Sequence, residues 1–281
     1  MTETIVARGA ETAAPEPGRG GSGSAFLALL GRDLAVLRKD FGMFLGRTLV
    51  QPLLLVFVFT YVFPKIGQGV GGGDAAAGFS TLLVGGVIAS AMIFQGIQAV
   101  ALPLVQEFGY TREIEDRVLA PLRVELVALE KVAAGAVQGL LAAVLVFPMA
   151  AVIPATPVHL HVNWLLLPVV LVLGAVMAAS LGLFVGTRVE PRQVPLIFGL
   201  LVIPMTFLGA VYYPWQSLEA IRWLQIGVLI NPLVYLSEGL RASLSTGIPH
   251  MAWGVVLAAM TGFTAVLLTS AIRGFRNRVL T

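Results

Sequence analysis

The chain has no cysteine, only three histidines, and charged side chains at just 12% of its 281 residues. Without cysteine there is no disulfide, no thiolate metal site and no thiol nucleophile. A soluble domain carries roughly a quarter of its residues as Asp, Glu, Lys and Arg, so this shortage excludes an ordinary water-facing surface. The charges are also missing in blocks. Thr48–Phe63, Phe79–Gln106, Val132–Pro154, Asn163–Thr187, Val194–Tyr213 and Met251–Ile272 contain none. Two catalytic patterns are absent, the His-Glu-x-x-His helix and the Gly-x-Ser-x-Gly elbow. No Gly-Lys pair occurs either, so the chain has no phosphate-cradling P-loop with which to hydrolyse ATP.

What the chain does have is apolar length: 57% of its residues are hydrophobic and its mean hydropathy is +0.90. A membrane-crossing helix needs about 20 apolar residues at a rise of about 1.5 Å each. Five of the six uncharged runs meet that length; Thr48–Phe63, at sixteen, gains a turn if Arg47 snorkels to the headgroups. Between the runs, Lys and Arg alternate in density. Fifteen of the eighteen fall in the N-terminal region, in the second and fourth loops and in the C-terminal tail; Lys65, Arg222 and Arg241 lie on the other side. By the positive-inside rule both termini are cytoplasmic. The reading is an all-α integral membrane protein of six transmembrane helices in the cell membrane. The sequence pI of about 9.5 then reflects residues flanking spans, not a nucleic-acid surface.

Residues 1–24 are rich in Ala, Gly, Glu, Pro and Ser and read as a disordered cytoplasmic tail. The membrane domain is assigned to 25–281. It opens with 25–45, where Phe26, Leu29, Leu30, Leu34, Leu37, Phe41 and Phe44 recur at helical period among charged residues. That pattern predicts an amphipathic helix along the inner leaflet. The last outer loop, 214–250, is too apolar for water, with Trp215, Trp223, Leu224 and Leu233 among its residues. It predicts short re-entrant helices separated at Pro232. His159 and His161 alternate in another outer loop, but two imidazoles without a third ligand do not make a metal site.

The uncharged runs carry the functional reading. Ion-driven carriers keep ionisable groups at membrane depth, whereas these runs offer no carboxylate, Lys or Arg, and amides such as Gln95, Gln98 and Gln138 with scattered Ser and Thr stand in their place. Energy for transport must then enter from outside the spans. The inner loop 107–131 is dense in charge: Thr111 can cap a helix holding Glu113 in its first turn, with Ile114, Val118 and Leu119 on an apolar face and Pro121 as its stop. Such a helix suits docking into a groove on another protein. Two other readings stay open, an ion-coupled secondary transporter and a non-transporting membrane scaffold or enzyme.

The stretch Glu107-Phe108-Gly109-Tyr110-Thr111-Arg112-Glu113, followed by Leu119-Ala120-Pro121 and Glu130-Lys131, resembles the first cytoplasmic loop of type-2 ABC exporter permeases. Residues 204–214 resemble that family's fifth span, and Asn231-Pro232-Leu233-Val234-Tyr235 with Glu238-Gly239-Leu240-Arg241 its outer loop. The likeness covers about 25–278 and is greatest to the daunorubicin-resistance-type, multidrug-exporting group. It implies an efflux permease, with a role in antibiotic resistance, that is not itself an enzyme. It further implies a separate cytoplasmic ATP-binding cassette ATPase holding ATP and magnesium, and a second permease chain, identical or different. This chain would hold no cofactor or metal, and lipid would surround it. Coupling to the ATPase would fall to Glu107, Thr111, Arg112, Glu113, Glu115, Asp116 and Arg117. A hydrophobic or amphipathic compound would pass along spans two and five, beside Met92, Phe94, Gln95, Gln98, Phe198, Met205 and Phe207.

Overall fold

The computed structural model describes residues 22–67, 74–108, 123–193, 196 and 198–280, and among these there is helix and turn but no strand. The tail and the predicted inner-loop helix, with Thr111, Arg112, Glu113, Glu115, Asp116 and Arg117, lie outside the described residues. Helix α1 (Ser22–Lys39) ends at Asp40, whose backbone (φ −101°, ψ 26°) leaves the helical region. Helix α2 (Phe41–Lys65) follows, with a π-helical stretch at Phe57–Val62. The expected helix over 25–45 is thus divided. Asp is a poor interior helix residue and Gly42 follows closely, so Phe41 and Phe44 belong to the first span. That span reaches 25 residues and needs no extra turn from Arg47, which sits within it.

Helix α3 (Asp74–Gln106) is the axle of the molecule, mostly buried, and packs along α4 (Val124–Val152) and α5 (Leu166–Gly186). Small residues make this approach possible. A Cβ added at Gly96 would meet the Ala178 methyl at 2.6 Å, and one at Gly182 would meet the Gly96 carbonyl at 2.5 Å. Helix α4 begins eight residues ahead of its uncharged run, so Glu125, Glu130 and Lys131 lie inside it.

The predicted fifth span, 194–213, is described in short pieces: a π turn at Phe198–Val202, α6 (Ile203–Phe207) with Pro204 in its first turn, then turns to Tyr213. After a 3₁₀ stretch at Trp215–Ile221 come α7 (Arg222–Gly227) and α8 (Pro232–Leu244). The segment Trp215–Ile230 and α8 meet at a bend of 103°. Asn231 caps α8, accepting the Leu233 N–H at 3.0 Å, and Pro232 starts it where its missing N–H costs nothing. Helix α9 (Trp253–Leu280) closes the chain against α5. Five helices (α2, α3, α4, α5 and α9) are long and apolar enough to cross a bilayer, and the bent pair would make a sixth. The six-span plan is therefore carried by five single helices, with the remaining polypeptide broken. This is a multi-pass membrane protein.

Candidate coupling and transport site

The ends of these helices sort into two groups. At one end, rich in basic residues, Lys131 two turns into α4 donates to Glu107 Oε1 just past α3 at 2.9 Å and to Asp33 Oδ2 of α1 at 3.2 Å. The Lys131 side chain is 5% exposed, and the cluster pins three helices together. Arg278 of α9 donates to the Gly186 and Val189 carbonyls past the end of α5, at 3.3 and 3.1 Å. A cation is favoured there because helix-end carbonyls lack partners. The same guanidinium lies 4.7 Å above the Phe108 ring, which also meets Phe275 edge-on. The inner loop therefore springs from a place where α1, α3, α4, α5 and α9 converge.

Two to three turns deeper, a ladder of polar side chains links α2, α3 and α4. Thr48 Oγ1 donates to Gln95 Oε1 at 3.0 Å; Gln95 Nε2 and Arg47 then donate to Gln138 Oε1 at 3.1 and 3.3 Å. Each such bond at membrane depth contributes about 0.6 kcal/mol, up to about 1.7. A groove of about 440 Å³ opens beside the ladder, lined on one wall by Gln98 and Gln106 and at its rim by Glu107 and Lys131.

The opposite end is held by a buried clasp on α8. Glu238 and Arg241 form an ion pair with both side chains fully buried. Glu238 also accepts the backbone N–H groups of Trp215 at 2.9 Å and Met251 at 2.7 Å, and Arg241 donates to the Ala210 carbonyl at 2.8 Å. Ala210 has φ +53°, a left-handed conformation that costs a residue with a Cβ roughly 1–2 kcal/mol. Asn231 Nδ2 donates to the Met205 carbonyl at 2.8 Å. The pair thus gathers the end of the fifth stretch, the start of the 3₁₀ segment and the entrance to α9 around one carboxylate. His159 and His161 lie at this end too; their backbone N–H groups bond Thr81 Oγ1 and the Leu244 carbonyl. No trio of His, Asp or Glu gathers there among the described residues.

Among the described residues, the expected pathway side chains fall in different surroundings. Gln95 joins the ladder, Gln98 faces the groove, and Phe94 is half-buried near Arg47 and Gln51. Met92 is sealed in the core, and Met205 is buried where its carbonyl receives Asn231. Phe207 is 61% exposed on the outer flank of α6, and the Phe198 side chain lies outside the described residues. Of the expected coupling residues, Glu107 is seen, at the root of the inner loop. The sequence reading did not anticipate its partner Lys131, or the Asp33 carboxylate that shares that lysine.

Residues 24–245 match the family described as ABC-2 type transporter. The chain is also similar to the inner membrane transport permease YadH of Escherichia coli K12, 28% identical over 208 residues, which span 69% of this chain and 74% of that one. The permease of the same name from Shigella flexneri matches to the same extent. A match over more than three-quarters of the chain, on apolar helices with no strand among the described residues, makes this protein a member of the ABC-2 type transporter family and a transporter membrane subunit.

Proposed function

We propose that this chain is the membrane half of an exporter that moves a hydrophobic or amphipathic compound, such as a drug, antibiotic or lipid, out of the cell. A separate cytoplasmic ATP-binding cassette ATPase, carrying ATP and magnesium, would supply the energy. A second permease chain would complete the pathway, and both termini would face the cytoplasm. The observation that carries this reading is the Lys131 cluster: it ties α1, α3 and α4 together at the root of the charged inner loop. A push delivered to the root of that loop would reach α3 through Glu107 and α1 through Asp33. The polar ladder from Arg47 to Thr48 then extends that connection into the bilayer.

The test is co-purification with the ATPase and reconstitution in vesicles. Replacing Glu113, Glu115 and Asp116 together by Ala should leave insertion intact, since none lies in an uncharged run. The same variant should abolish stimulation of ATP hydrolysis by substrate. Stimulation surviving in that variant would remove the coupling role.

A further inference from the structure

The groove between α1, the start of α2, α3 and α4 carries two charges without an ion-pair partner among the described residues, one of which, Arg47, also ends the polar ladder. Its volume of about 440 Å³ lies within the range of small-molecule sites. Lys131 is satisfied by Glu107 and Asp33. Two other charges on its wall are not matched. Arg47 reaches Gln138 and lies 5.8 Å from the Phe44 ring, but no carboxylate pairs with it among the described residues. Asp40, at the mouth, has no ion pair among the described residues and makes no side-chain cap to α2. Seven residues separate the two, with Asp40 just before α2 and Arg47 in its second turn, roughly 10 Å apart along the axis. Met43, Phe44, Leu102 and Pro103 supply an apolar wall beside them.

Arg32 also lines the groove; a cation and a carboxylate without ion-pair partners among the described residues, next to apolar surface, complement a molecule with the reverse arrangement. We propose that this groove binds the headgroup of a zwitterionic amphiphile, with its phosphate against Arg47, its ammonium against Asp40 and its apolar chain along Met43 and Leu102. Arg suits the phosphate because its planar fork donates in pairs. Gln98 and Gln138 add neutral donors and acceptors beside it. As a statement about cargo this rests on the exporter reading; as a statement about binding it stands alone.

Binding is read by native mass spectrometry of the purified full chain, offered equal amounts of phosphatidylethanolamine, phosphatidylglycerol and a single-chain quaternary ammonium amphiphile. Phosphatidylethanolamine should be retained in preference. Arg47→Gln should weaken its binding about tenfold, the size of one charge-assisted hydrogen-bond contact. Asp40→Asn should keep phosphate binding but abolish the preference over phosphatidylglycerol, a change of selectivity that misfolding would not produce. Soluble phosphoethanolamine should compete weakly; competition equal to that of the lipid would overturn the role of the apolar wall. Equal retention of all three amphiphiles, or indifference to both substitutions, would overturn the site. In vesicles with the ATPase, lipid bound without ATP-dependent flux would count against the exporter reading while leaving the site standing. Flux of phosphatidylethanolamine unaffected by Arg47→Gln would do the reverse.

Discussion

Lys131 serves carboxylates on two other helices, whereas Arg276 reaches Glu125 at 4.0 Å with both side chains about half exposed. Burial separates their weights: exposed pairs contribute about 0–1 kcal/mol, while removing one partner of a buried pair costs about 3–5 kcal/mol. The sharpest instance is Glu238, whose loss would leave the Arg241 guanidinium charged with no access to water. Glu238→Ala is expected to destabilise the protein by about 3–5 kcal/mol, and Arg276→Ala by less than about 1 kcal/mol. Thermal unfolding in detergent, followed by size-exclusion recovery, ranks the two; equal midpoints would refute the clasp. Glu238 and Arg241 entered the sequence reading only through the outer-loop resemblance, yet opposite charges three residues apart in an apolar segment share a helix face, which makes such a pairing legible in principle. Asp33, Glu107 and Lys131 were not legible. They lie 98 and 24 residues apart from their partner, and no local period links them.

At the scale of the element, the apolar runs marked α2, α3, α4, α5 and α9, because a bilayer demands unbroken apolar helix and the sequence must supply it. The boundaries were less legible. The break at Asp40 and the early start of α4 depend on where charges find partners, as Lys131 does, and not on hydropathy. The fifth stretch, 194–213, read as a uniform span, yet Pro204 and the left-handed Ala210 divide it, held by Asn231 and Arg241 from elsewhere in the chain. Gly96 of α3 meets Ala178 of α5, a partner that no local pattern in the sequence reveals. Gly96→Leu is expected to force α3 and α5 apart, costing about 1–3 kcal/mol or more from overpacking. Gly78→Leu, with nothing within 4 Å of an added Cβ, should cost nothing by that route. Circular dichroism melting in detergent compares them, and matched midpoints would mean the α3–α5 contact is not the close one described.

On the scale of the whole molecule, the placement of charge and the placement of helix ends agree independently. Phe108, Glu125, Val189 and Phe275 come together at one end, and Thr60, Thr156, His161 and Leu244 at the other. This is the alternation that an even number of crossings requires. Exposed Trp164 and Trp253, at the starts of α5 and α9, sit at the second end, where an interfacial aromatic belt is favoured. Which end faces the cytoplasm follows from lysine and arginine alone, and the absence of cysteine makes that claim easy to test. Every introduced thiol is unique, so labelling reports one position. In intact cells a membrane-impermeant maleimide should modify His161→Cys and spare Arg117→Cys and Arg276→Cys. In inside-out vesicles the pattern should reverse. Labelling of Arg117→Cys from outside would invert the topology. It would place the charged loop where no cytoplasmic ATPase can reach it, and it would move the Arg47 groove to the opposite leaflet.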